Sequence, residues 1–204
     1  SGQGAKVMQV RAVEFANKYN VPVRVLSSFV PGTGTLISLE EPNMDDMEKA
    51  VVSGIAFQKD QSRISFQGVK DSPGIASSIL GPIAAEGIEV DVIIQNISNE
   101  GRTDFTFTIS SIDRDVVEKI CNTQLQDLDF NNLIIDNNVG KVSIVGVGMR
   151  SHSGIASRAF QALANNNINI SMISTSEIKI TLVINIDDVN NAVKVLHHEF
   201  ELDK

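Results

Sequence analysis

A chain of 204 residues with 42% hydrophobic content holds enough apolar material for one large or two small cores. Its formal charge of −8 argues against nucleic acid as a partner. No apolar run approaches the roughly 18 residues of a membrane span and no charged-then-apolar leader opens the chain, while the single Cys121 excludes an internal disulfide and suits a reducing cytoplasm.

Residues 1–45 differ in character from the remainder of the chain. RAVEFANKY (11–19) has the spacing of an amphipathic helix. VPVRVLSSF (21–29) and GTLISL (34–39) read as two strands across the turn Pro31-Gly32-Thr33. Neither has a counterpart later in the chain. Val21, Val23, Val25, Leu26 and Phe29 need a sheet that this segment does not supply. Residues 1–42 are therefore expected to be less ordered than the rest, or to pack onto a neighbouring chain. Glu40-Glu41-Pro42-Asn43 has the composition of a linker, and the opening Ser-Gly-Gln-Gly without Met leads us to expect an excised piece of a larger domain.

From residue 62 onward the chain says the same thing twice. Gly-Ile-Ala-Ser occurs at 74–77 and again at 154–157. Upstream of each lies an alternating apolar run, RISFQGVKDSP (63–73) and KVSIVGVGMRSHS (141–153). An internal repeat of this length decides the fold before any single motif does. Each copy begins with a strand (Ile64, Phe66, Val69; Val142, Ile144, Val147) and a short polar loop. A helix comes after it, apolar at Ile75, Ile79, Leu80 and Ile83 in one copy and at Ile155, Ala159, Phe160 and Leu163 in the other. Gly87 and Asn165-Asn166-Asn167 end these helices, since Gly and Asn tolerate the left-handed cap. Two strands come next, 89–97 with 103–110 and 168–175 with 178–185, and then a second helix, 113–124 or 187–199.

The order is β-α-β-β-α, and in the first copy Asn132–Asp136 adds a final strand, giving a ferredoxin-like unit. The second copy lacks that strand, and an unpaired central edge is costly. Ala50–Gln58, just ahead of the first copy, has the right length to fill it. The expected fold is α+β: two interlocked βαββαβ units, with antiparallel sheets and helices on one face. The boundaries are a remnant and linker over 1–45, a first unit over 62–137, and a second over 46–61 plus 138–204.

The repeated loop carries the most specific chemistry. Gly74-Ile75-Ala76 opens a helix, where free N–H groups and the helix dipole suit a carboxylate. Glycine there lets a ligand approach the backbone. Asp71, three residues earlier, can pair with an α-ammonium. Gln95, which interrupts the apolar run VIIQNI, can hold a side-chain hydroxyl. Bland readings stand beside these. Ser-Pro-Gly is an ordinary strand-to-helix turn, and Asp71 can simply cap the helix. Cys121 follows Val116, Val117 and Ile120 on one helix and reads as core rather than nucleophile. His152 has no ligand spacing around it, so no metal site is expected; His197 and His198 suit the end of a helix. Gly146-Val147-Gly148 lacks the third glycine of a dinucleotide fingerprint, and Pro31-Gly32-Thr33-Gly34 lacks the Lys-Ser/Thr of a phosphate loop. Ferredoxin-like RNA binders need exposed aromatics, whereas Phe66, Phe105 and Phe107 alternate as core positions.

The motifs GVKDSPGIA, VDVIIQNIS, TDFTFT, VGKVSIVGVGMRSHSGIA and NISMISTSEIKI, with the closing LHHEFELDK, together resemble the C-terminal regulatory region of bacterial aspartokinase, which is built from tandem ACT domains. GAKVMQVRAVEFANKYNVPVRVLSSF resembles the family's junction with the kinase domain, with Val10 a departure on which nothing functional rests. Some members also make this half as a separate regulatory (beta) subunit from an internal start, for which Met44 or Met47 would serve. The resemblance implies allosteric feedback control of phosphate transfer from ATP to aspartate, on the route to lysine, threonine and methionine. It implies a threonine site of Asp71, Gly74, Ile75, Ala76 and Gln95, closed by Asn169 and Ile170 of a partner chain. A second site, suited to lysine, would comprise Met149, His152, Ser153, Gly154, Ile155, Ala156, Thr175, Ser176 and Glu177, facing Glu89, Val90 and Asp91 of the partner. It further implies a homodimer through the ACT domains, and a kinase domain or alpha subunit as partner. ATP and magnesium belong to the kinase domain; no cofactor is expected in this chain, and alone it is expected to be inactive. An ACT module serving another biosynthetic enzyme is the alternative, which the junction helix disfavours. A catalytic fragment in its own right finds no nucleophile–base pair or phosphate loop to support it.

Overall fold

A computed structural model describes residues 8–37, 52–96, 100–146 and 154–202. The first segment is a helix, α1 (Val10–Lys18), followed by a two-stranded antiparallel ladder of β1 (Val23–Val25) and β2 (Thr35–Ile37). This ladder is separate from the main sheet. Phe29 is 95% exposed, and Phe15 and Tyr19 stack on each other in the open. Of the apolar side chains noted in the sequence, Val21, Leu26 and Phe29 are exposed, while Val23 and Val25 are half-buried.

The remaining elements are β3 (Val52–Lys70), α2 (Ile75–Ala85), β4 (Val90–Gln95), β5 (Arg102–Ser110), α3 (Arg114–Thr123), β6 (Asn132–Gly146), α4 (Ile155–Asn165), β7 (Ile170–Thr175), β8 (Lys179–Asn185) and α5 (Val189–Glu199). The strands form one six-stranded antiparallel sheet in the order β4-β5-β3-β6-β8-β7. Two of them serve both halves. The first part of β3 pairs with the second half, Ile55 opposite Ile144 and Phe57 opposite Val142. Its later part pairs with the first half, Ile64 opposite Phe107 on one side and Ile135 on the other. The segments that the sequence presents as separate strands, 50–58 with 63–69 and 132–136 with 141–147, are therefore continuous, with Ala50, Val51 and Val147 outside the described residues.

Each half carries its own core. Phe66, Phe105, Phe107, Ile79, Ile83 and Val117 fill the first beneath α2 and α3; Val142, Ile144, Leu163, Leu182, Ile184 and Leu196 fill the second beneath α4 and α5. Phe66 meets Phe130 edge to face at 5.3 Å. A third cluster of Val92, Val139, Met172 and Val183, joined by Ile94, lies on the helix-free side. Val183 alternates with Leu182 and Ile184 along β8, and Ile94 sits opposite Thr106, so the helix-free faces of the two halves meet there. Register shifts in β3 between Gln58 and Arg63 accompany the passage from one half to the other.

The helix ends follow the residues that close them. Gly87 (φ 72°) and Asn167 (φ 56°) occupy the same left-handed position after α2 and α4. The next residues, Ile88 and Ile168, donate back to Ile83 O and Leu163 O. Cys121 is buried in the first core, where loss of solvent pushes its thiol up to about 11.

Gly140 sits where β6 passes from one half to the other. A Cβ there would stand 2.5 Å from Val189 Cγ2 and 3.1 Å from Gln58 O. Gly140→Ala is expected to cost about 1–3 kcal/mol through overpacking, read as a lowered urea midpoint. An unchanged midpoint would show that α5 yields freely.

Candidate functional site

The loop between β3 and α2 is held from two sides. Gly68 turns the chain at φ 60°, its N–H donates to Asp104 Oδ1 at 2.8 Å, and Arg102 reaches its carbonyl at 2.6 Å. Any side chain at Gly68 would collide with Asn131. Asp71 N–H then donates to Gly101 O at 2.8 Å, tying the loop to the β4–β5 hairpin. Because β4 ends at Gln95, this tie brings the loop beside the strand end that the sequence singled out.

Gly74 caps α2 in the left-handed region, φ 94°, and nothing lies within 4 Å of where its Cβ would be. The glycine answers a backbone requirement and leaves open space above it. The N–H of Ile75 turns back to Ser72 O and that of Ser78 to Gly74 O. Those of Ala76 and Ser77, at the start of the helix, have no partner among the described residues. Asp71 is exposed and its carboxylate likewise makes no hydrogen bond or ion pair among them. It does not cap the helix. Gln95 is also exposed, and it lies in the ladder opposite Phe105. The amide read as interrupting an apolar run is thus at the surface of an outer strand and needs no internal partner. Donor N–H groups, a free carboxylate and a free amide are what an α-amino acid with a polar side chain requires.

The second copy repeats the plan. Gly154 caps α4 at φ 108°, again with no atom within 4 Å of a Cβ. Ile155 is buried and Ala156 half-buried. Met149, His152 and Ser153 lie outside the described residues. Thr175 and Glu177 are exposed at the β7–β8 turn. Ser176 is committed to that turn, since its hydroxyl accepts from the N–H groups of Ile178 and Lys179. Asn169 is exposed just ahead of β7, and Ile170 is half-buried against the second core.

β4 and β7 are the outermost strands and keep one edge each without a strand partner among the described residues. They share one burial pattern, leaving Ile93 48% and Ile173 42% exposed at corresponding positions. At the start of β4, Glu89 and Asp91 are exposed and Val90 is half-buried. These three border a groove of about 700 Å³ that also contains Gln58, Gln61, Lys141 and Lys179. The Asp91 carboxylate is paired there with the Lys141 ammonium of the same chain. Sequence reasoning missed Lys141, whose place in an alternating strand gave no sign that its ammonium is buried.

Among the described residues no group of three or more His, Cys, Asp or Glu is placed to hold a metal, and no helix is long and apolar enough to cross a membrane.

Residues 62–121 and 142–200 each match the ACT domain family. The chain is 52% identical over 200 residues to the aspartate kinase of Pseudomonas fluorescens, covering 98% of itself and 48% of that protein. It is 46% identical over 205 residues to the aspartokinase of Helicobacter pylori, covering 50% of it. It thus spans about half the length of these curated relatives. Among solved structures, a chain from the crystal structure of aspartokinase alpha and beta subunits is 46% identical with a TM-score of 0.69, and 99% of it is covered by 74% of this one. The ligand-free regulatory subunit of aspartate kinase from Thermus thermophilus is 33% identical with a TM-score of 0.70 over the same shares.

Proposed function

Because the chain belongs to the aspartokinase family, as its two-ACT-domain regulatory region, we propose that it binds the end-product amino acids threonine and lysine and so restrains ATP-dependent phosphorylation of aspartate by the catalytic portion. The observation that carries this is the glycine-capped helix start that occurs in both copies. In the first copy the N–H groups of Ala76 and Ser77, the Asp71 carboxylate and the Gln95 amide have no hydrogen-bond partner among the described residues. The α-carboxylate of threonine lies on the N–H groups of Ala76 and Ser77. Its ammonium pairs with Asp71, and its hydroxyl meets Gln95. The second loop, with Glu177 and the partner's Glu89 and Asp91 near it, takes a longer cationic amino acid.

Each site takes its far wall from a second copy. Exposed Ile93 and Ile173 on free strand edges favour side-by-side joining of ACT sheets in a two-fold dimer. We expect light scattering to find a dimer at micromolar concentration, stabilised further by threonine or lysine. A monomer under all three conditions would count against shared sites. The exposed apolar side chains of α1 and the β1–β2 ladder are the surface on which the rest of a kinase domain rests. Calorimetric titration of the chain with threonine, lysine and methionine tests the proposal directly: no heat from any of them refutes it.

A further inference from the structure

Lys141 is a buried lysine in the middle of β6, in register with Gln58 on β3 and Val183 on β8. Its side chain is 4% exposed, and its ammonium is paired with Asp91 on β4 of the other half, whose side chain is 44% exposed. A buried ammonium needs such compensation, because removal from water costs several kcal/mol. Two further acceptors wait in the same groove. Gln58 Oε1 and Gln61 Oε1 are both buried without a hydrogen-bond donor among the described residues. Gln61 is itself only 4% exposed, and its amide nitrogen is spent on Asp60 O. Buried acceptors left unpaired are uncommon. Lys141 carries three N–H donors, of which Asp91 takes one.

We infer that Lys141 is a specificity-determining residue: its ammonium occupies, on Asp91, the place of a cationic ligand's ammonium, and it retires to Gln58 and Gln61 when the ligand arrives. The inference rests on the proposed second effector site, in which Asp91 faces the ligand. Lys141 neutralises that carboxylate and so lowers the affinity for cationic amino acids. The unpaired glutamine oxygens lower the cost of its displacement. Neutral threonine at the 71–76 loop is untouched, because Asp71 has no such cation among the described residues.

The test is calorimetric titration of the full dimeric chain with lysine and with threonine, in the parent, Lys141→Met and Lys141→Arg. Lys141→Met is expected to bind lysine roughly five- to tenfold more tightly and threonine within about twofold of the parent. Lys141→Arg keeps the charge and should match the parent for both. If Lys141→Met does not fold, Lys141→Gln takes its place and should also tighten lysine. Unchanged or weaker lysine binding, with threonine binding retained, would overturn the inference alone. A parent that binds neither amino acid removes the effector-site reading and this inference with it.

Discussion

Asp71→Ala is expected to abolish useful threonine binding while leaving the fold intact. Feedback on a cellular amino acid pool needs only modest affinity, roughly 0.1–1 mM, which is about 4–5.5 kcal/mol. A charge-assisted contact contributes about 1.5–3 kcal/mol, so its loss weakens binding at least about tenfold. Asp71 is exposed and makes no side-chain bond among the described residues, so nothing in the core depends on it. Gln95→Ala should weaken threonine to a similar degree, for it too is exposed and its amide makes no hydrogen bond among the described residues. A bulky residue at the half-buried Ala76 should act by closing the space above the Gly74 cap. In the complete enzyme these changes should relieve inhibition and leave catalysis intact. Parent-like threonine heat from Asp71→Ala would remove this loop from the effector site.

The second large effect is on stability. Phe66 is fully buried in β3, flanked in register by Phe105 and Leu133, with Phe130 edge-on to its ring. Phe66→Ala should cost about 3–5 kcal/mol by lost transfer energy plus the cavity left behind. Because β3 and β6 belong to both halves, the loss should lower the urea midpoint of one common transition, followed by circular dichroism. Two resolved transitions, only one of them shifted, would show that the halves unfold independently.

Most of this architecture was legible because the repeat could be read against itself. The helix ends read at Gly87 and in the Asn165–Asn167 run fall at matching positions, Gly87 and Asn167 both in the left-handed region. Strand alternation at Ile64, Phe66, Phe105 and Phe107 named the first core correctly. The length of β3 and β6 was not legible. Lys59, Asp60 and Gln61 look like a polar connection, yet they lie inside β3 at the register shifts by which it leaves one half and enters the other. Local polarity cannot distinguish a loop from a strand that changes neighbours. For the site, the glycines that start the two helices follow from local sequence, whereas the sequence left Asp71 equally able to cap α2, and only the structure shows that it does not. The Lys141–Asp91 pair does not, because it joins residues 50 apart that only the meeting of the helix-free faces brings together.

The shared strands also set a timetable for synthesis. Val52–Gln58 leaves the ribosome well before its ladder partners in β6, and Val52 must wait for Gly146, about 90 residues later. At roughly 5–20 residues per second this is a delay of about 5 to 18 seconds. The 62–139 region emerges in between and can close its own core first. During that interval the early strand is a sticky, half-finished template. It carries the apolar side chains of Ile55 and Phe57 beside Lys59 and Asp60, charges that discourage a neighbouring nascent chain from annealing to it.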